Sequence, residues 1–128
     1  FWRDITYMND ALAFVLTRYA VDRSHLGLGG FSDGATYALA LGRANGDIFT
    51  HLIAHSPGYL LHVRNVRRPR IFIAHGTQDE ILPYEYTRQE IVPKLRRADF
   101  PVRFESWDGP HALSRTQISA AMRWFIAP

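Results

Sequence analysis

The chain has 128 residues, 47% of them hydrophobic and 21% charged, which is globular composition for one domain and excludes a disordered tail. No run approaches the ~18–20 apolar residues of a membrane span, and the absence of Cys excludes a disulfide scaffold, a Cys-ligated zinc site and a Cys nucleophile. Fifteen Lys and Arg against twelve Asp and Glu leave a net charge of +3, a surplus too mild to mark a nucleic-acid binder without a recognisable motif.

Asp4 to Ala20 reads as a helix, because Ile5, Met8, Leu12, Val15, Leu16 and Tyr19 recur at three- and four-residue steps. His25 to Gly29 reads as a short, Gly-rich strand that needs close packing on both faces. Gly34 to Ala44 reads as a helix ended by Asn45-Gly46-Asp47. His51 to His55 is a second strand, closed by Ser56-Pro57-Gly58. The loop that follows carries the densest cationic cluster, Arg64, Arg67, Arg68 and Arg70, which reads as a solvated segment rather than a phosphate site. Arg70 to Ala74 is a third strand, a continuous β-favouring run of the kind buried on both faces. Tyr84 to Arg97 reads as a helix that Pro93 kinks or divides. Pro101 to Trp107 is a fourth strand. Ser114 to Phe125 closes the chain as a helix with Ser114 as N-cap and Ile118, Ala121, Met122 and Phe125 as its apolar face.

This α/β alternation predicts a mainly parallel sheet with right-handed crossovers. Function in such sheets sits at the carboxyl ends of the strands. Gly30-Phe31-Ser32-Asp33-Gly34 follows the first strand and is a G-x-S-x-G turn, which projects a serine hydroxyl above the sheet. Both flanking glycines are expected to be needed to avoid collisions. His75-Gly76-Thr77-Gln78-Asp79 follows the third strand, with Glu80 as a neighbouring carboxylate. Asp108-Gly109-Pro110-His111 follows the fourth. A serine hydroxyl needs an imidazole to take its proton and a carboxylate to orient the imidazole. Ser32, Asp79 and His111 occur in that chain order, each at a strand end, with Glu80 and Asp108 as rival acids.

GFSDG, HGTQDEILPY and GPHAL together resemble the α/β-hydrolase family, in its phospholipase/carboxylesterase-like and dienelactone-hydrolase-like esterase branch. The resemblance runs across nearly the whole chain and implies a three-layer α/β fold. It implies Ser32 as nucleophile, His111 as general base and then acid, Asp79 as the orienting carboxylate, and the Asp33 backbone N–H as one oxyanion-hole donor. Dienelactone hydrolases usually carry Cys where Ser32 stands, so the resemblance favours an ordinary esterase acting on carboxylic esters or thioesters. A prolyl-oligopeptidase-type serine peptidase and a catalytically silent binding module are the alternatives. Phe31, Tyr59, Leu60, Leu82 and Leu113 are candidates to line the substrate pocket.

Relatives have further strands before the point where Phe1 opens the chain. Residues 1–128 are therefore expected to be the C-terminal portion of one catalytic domain, with the strand before Ser32 at or near a sheet edge. A missing N-terminal segment or a second copy would cover that edge. The expected partner is a small-molecule ester, with no cofactor, metal, nucleic acid or stable membrane insertion, and a cytoplasmic location. His51, His55 and His75 invite a zinc test but lack a recognisable ligand spacing. His75 is expected to hydrogen-bond beside the acid loop, and His25 and His62 to lie at the surface.

Overall fold

Four of the apolar runs become one parallel sheet in the computed structural model, which describes residues 2–128. The strands are β1 (Gly27–Phe31), β2 (His51–His55), β3 (Arg70–Gly76) and β4 (Val102–Trp107), in the order β1-β2-β3-β4. The helices are α1 (Trp2–Arg18), α2 (Asp33–Ala44), α3 (Tyr84–Tyr86), α4 (Val92–Arg97) and α5 (Arg115–Ile126). Each strand pairs with its neighbour in the chain, so all four carboxyl ends reach one edge of the sheet. β1 lies at the sheet's side and pairs only with β2 among the described residues.

Helices cover both faces because β2 and β3 are apolar on both. On one face, Leu52, Ala54, Ile71 and Ile73 pack with Ala35 and Leu39 of α2, with Val92 and Leu95 of α4, and with Ile91 and Phe100. Burying each of these Leu and Ile side chains stabilises the fold by about 1.5–3 kcal/mol. On the other face, Phe72 and Ala74 pack against Ala120, Ala121 and Trp124 of α5. No helix among the described residues is long and apolar enough to cross a membrane.

Several expected details change. The first strand lies two residues later than its pattern suggested. An Asx turn, in which the Ser24 N–H donates to Asp22 Oδ1 at 2.9 Å, occupies the preceding residues, and Gly30 and Phe31 pair with Ala54 and His55. Pro93 divides its helix through a π turn at Thr87–Ile91, in which the Val92 N–H donates to the Thr87 carbonyl. A prolyl ring conflicts with the carbonyl four residues back, and the wider turn relieves that conflict. Ser114 occupies the N-cap position of α5, yet its side chain makes no capping bond. The buried face of α5 is also rotated from the expected stripe. Trp124 and Gln117 turn inward, while Ile118 and Met122 are exposed. The reason is Trp124, which fills the space over Phe72 and takes the Arg70 guanidinium on its ring. Of the expected α1 stripe, Met8 and Val15 are exposed, as is Tyr19 just past the helix, and a 290 Å³ cavity lies where Ile5 and Met8 face Leu28, Tyr37 and Leu41.

The cationic loop is partly structural. The Arg68 Nε donates to the Ala98 carbonyl at 2.6 Å, and its guanidinium lies over the Phe100 ring. His62 is exposed, but His25 is half-buried and stacked on His51 at 5.3 Å.

Three buried histidines make stability depend on pH. Burial lowers His51, His55 and His75 below the ordinary imidazole value, with nearby Arg70 and His25 adding to the effect at His51. At His75 burial outweighs the opposing pull of the Leu82 carbonyl and Asp79. The unfolded chain binds these protons near pH ~6.5, and the folded chain only below that. Their contribution is therefore complete above about pH 6.5 and is lost as the pH falls towards the folded-state values. Thermal melting across this range should show Tm dropping with acid, and His51→Phe should make the drop shallower. An unchanged slope in that variant would contradict this assignment.

Candidate active site

The serine turn is built by close approach. The Ser32 N–H donates to the His55 carbonyl at 2.9 Å, continuing the β1–β2 ladder one residue past the strand. Its carbonyl accepts from the N–H groups of Ala35 and Thr36 at 3.0 and 3.2 Å, starting α2. Between these anchors Ser32 takes φ 58° and ψ −125°, a conformation that strains a residue with a Cβ by about 1–3 kcal/mol. Gly30 makes the turn possible, since a Cβ there would lie 2.2 Å from the Gly34 carbonyl oxygen. Gly34 differs from expectation: a Cβ on it would meet nothing within 4 Å. The crowding is one-sided, with the Gly30 Cα pressed on the Gly34 backbone.

Asp79 and His111 come from the loops after β3 and β4, and those loops are laced together. The Thr77 N–H donates to the Trp107 carbonyl at 2.9 Å and the Gln78 N–H to the Gly109 carbonyl at 3.0 Å. The Gln78 side-chain amide donates to Asp108 Oδ1 at 2.7 Å. This contact engages Asp108, one of the rival acids, with Gln78. Glu80, the other rival, is exposed.

The side chains of Ser32, His111 and Asp79 meet in one line. His111 Nε2 lies 2.9 Å from Ser32 Oγ, and His111 Nδ1 lies 2.6 Å from Asp79 Oδ2. The Asp79 carboxylate is fully buried and receives four donors. Its Oδ1 accepts from the N–H groups of Ile81 and Leu82 at 2.9 and 2.8 Å. Its Oδ2 accepts from His111 and from His75 Nε2, the latter at 3.0 Å. Burial acts to raise the Asp79 carboxyl, but the Leu82 N–H, His111 and the Ile81 N–H outweigh it and hold it below the usual carboxylate range. An ionised Asp79 only accepts, so His111 Nδ1 carries its proton and leaves Nε2 free to accept from the serine hydroxyl. Such a line can move a proton off a hydroxyl while keeping the resulting imidazolium paired.

The remaining candidates lie around this line. The Phe31 ring is 4.8 Å from the His111 ring. Tyr59 and Leu113 are exposed, and Leu82 is half-buried and lies close to Gly58. Leu60 is half-buried and packs against the core. Asp33 heads α2, and its N–H is one of those a helix leaves without an intrahelical acceptor. A 420 Å³ hollow lined by Gln78, Glu80, Ile81 and Pro110 lies beside His111. Among the described residues no group of three His, Cys, Asp or Glu side chains is gathered to hold a metal ion. Thr87 was not legible as part of the site. It is buried at the start of the π turn, 2.9 Å from His75 Nδ1, in a stretch whose sequence reads as ordinary helix.

No family model and no curated protein matches the sequence. Solved structures do match in fold. Esterase PE8 superposes with a TM-score of 0.79 at 22% identity, over 91% of this chain and 56% of its own. The Bacillus cereus carboxylesterase gives 0.75 at 23% identity, over 92% and 57%. The S-formylglutathione hydrolase FrmB from Staphylococcus aureus gives 0.77 at 16%, over 96% and 60%. The chain thus has the α/β-hydrolase fold and spans between 56% and 60% of the length of these three structures.

Proposed function

We propose that this chain carries the catalytic groups of a serine hydrolase that cleaves carboxylic esters, thioesters included, through an acyl-enzyme. The observation that carries this reading is the unbroken hydrogen-bonded line from Asp79 through His111 to Ser32. Ser32 Oγ attacks the carbonyl carbon as His111 Nε2 takes its proton. Asp79 keeps the imidazolium oriented and paired. The carbonyl oxygen becomes an oxyanion, and in this reading the N–H at the head of α2, on Asp33, donates to it. Collapse breaks the bond to the alcohol or thiol, which leaves with the proton from His111. Water then repeats the sequence on the acyl-Ser32 ester, with His111 again as base. Phe31, Tyr59, Leu82 and Leu113 supply apolar surface for the substrate in this reading.

The test is Ser32→Ala with a p-nitrophenyl ester and a fluorophosphonate probe. We expect kcat to fall by about 10⁴–10⁶-fold and the probe label to vanish. A matched peptide amide run alongside should turn over far more slowly than the ester. Retained turnover in the variant, or a label on another residue, would overturn the reading.

A further inference from the structure

Asp79 Oδ2 serves two histidines, and the proposed proton transfer uses only His111. The other, His75, is fully buried, and its ring nitrogens are both occupied. Its Nε2 faces only acceptors, Asp79 Oδ2 and the Leu82 carbonyl, each at 3.0 Å, so that nitrogen must carry the ring proton. Its Nδ1 faces Thr87 Oγ1 at 2.9 Å. Burial disfavours a second ring proton, so Nδ1 is bare and the Thr87 hydroxyl donates to it. The competing acceptor for that hydroxyl, the Pro57 carbonyl, is farther away at 3.3 Å. Hydrogen bonds therefore run in one direction, from Thr87 to His75 and from His75 to Asp79.

We infer that His75 is a positioning residue for the proposed hydrolysis: with its tautomer fixed by the two acceptors at Nε2 and its Nδ1 held by the Thr87 hydroxyl, it donates to the oxygen that receives His111 and so fixes and weakens that oxygen's hold on the catalytic imidazole. The inference rests on the serine-hydrolase reading. A carboxylate oxygen shared between two donors gives less to each. Without His75, Oδ2 would bind His111 alone, and the carboxylate would be held only through Oδ1 by Ile81 and Leu82 and through Oδ2 by His111. The His111 imidazolium would be held more strongly, and base catalysis would require a higher pH. Of the groups facing the two rings, Gln78 and the charged Glu80 line the hollow beside His111. Asp79 and Leu82 come from the acid loop, Thr87 from the π turn and Tyr84, edge-on to His75 at 5.9 Å, from α3. Ser32 and Phe31 face His111 from the turn after β1.

The π turn gives Thr87 its place. Thr87 and Ile91 are its two buried residues, so the widened turn that accommodates Pro93 also delivers the hydroxyl to His75.

The experiment compares the full chain with His75→Leu, Thr87→Val and Thr87→Ser. It measures kcat and KM against pH on a p-nitrophenyl ester, Tm, and the low-field proton resonance of His111 Nδ1–H. His75→Leu should lower kcat by about ten- to a hundredfold, as is typical for removing a hydrogen bond that orients a catalytic group. KM should stay within about twofold, since no substrate contact is removed. The acid limb of the kcat/KM profile should move to higher pH, and the resonance should shift. Thr87→Val, which keeps His75, should move both in the same direction, and Thr87→Ser should restore them. A purely structural role would lower Tm while leaving the pH profile and resonance unmoved, and that result would overturn the inference. Failure of the unmodified chain to turn over the ester would remove the hydrolase reading instead. The resonance would then decide the positioning role alone, upheld by a shift in Thr87→Val and overturned by none.

Discussion

Asp79→Asn should lower kcat by about 10⁴-fold with little change in KM. The reason is a tautomer forced by hydrogen bonding. The N–H groups of Ile81 and Leu82 hold one side of the carboxylate, so the Asn oxygen must remain there. The Asn amide nitrogen then takes the place of Oδ2 and presents protons to both histidines. His111 can meet a donor only with a bare Nδ1, which moves its proton to Nε2, opposite Ser32. It can no longer accept the serine proton. The same amide faces the His75 Nε2–H donor to donor, which should cost about 1–3 kcal/mol of stability. Steady-state kinetics and a melting curve measure both effects. A kcat within tenfold of the unmodified chain would contradict the assigned tautomers.

Gly30→Ala should destabilise the fold by about 3–5 kcal/mol, while Gly34→Ala should leave it unchanged or stabilise it by up to ~1 kcal/mol. The two glycines flank the same serine and look alike in sequence. A methyl on Gly30 lands 2.2 Å from a backbone oxygen in a turn already anchored at both ends, so relief requires moving β1 against α2. A methyl on Gly34 enters open space beside the cavity under α1 and reduces the freedom of the unfolded chain. Thermal melts of the two variants make the comparison directly. Equal losses would show that the crowding is symmetric after all.

How legible the molecule was depended on whether the signal was local. β2 was read at its true bounds because His51 to His55 is a short apolar run with turn residues on each side. β3 was read two residues short. His75 and Gly76 look like loop residues, but they pair with Ser106 and Trp107. β1 was displaced because its glycines give no alternation, and only pairing to β2 fixes its register. The α5 stripe was misplaced because helical spacing allowed more than one face, and the choice came from Trp124 meeting Phe72 across the chain. The positions of Ser32, Asp79 and His111 were legible because each follows a strand in a parallel sheet. Sequence order could not rank Asp79 above Glu80 or Asp108. The loop N–H groups and the Gln78 contact do that, and both depend on the folded loops. Thr87 left no trace in the sequence, since only the third dimension brings it to His75.

The hydrogen bonds of the site also divide the molecule in a way that bears on how it acquires reactivity. Ser32 and His111 are 79 residues apart in the chain, and Asp79 and His111 are 32 apart. The segment containing β1, α2 and β2 holds the strained serine but not the imidazole that faces it. The segment from β3 through the loop after β4 holds the carboxylate–imidazole pair but not Ser32. In the proposed reading, neither half gains from the other until β2 docks on β3. A nascent or half-folded chain therefore carries an unactivated serine. In the proposed hydrolase the serine is activated only by a contact between residues 79 apart, and the appearance of serine reactivity during refolding would time the joining of the two halves.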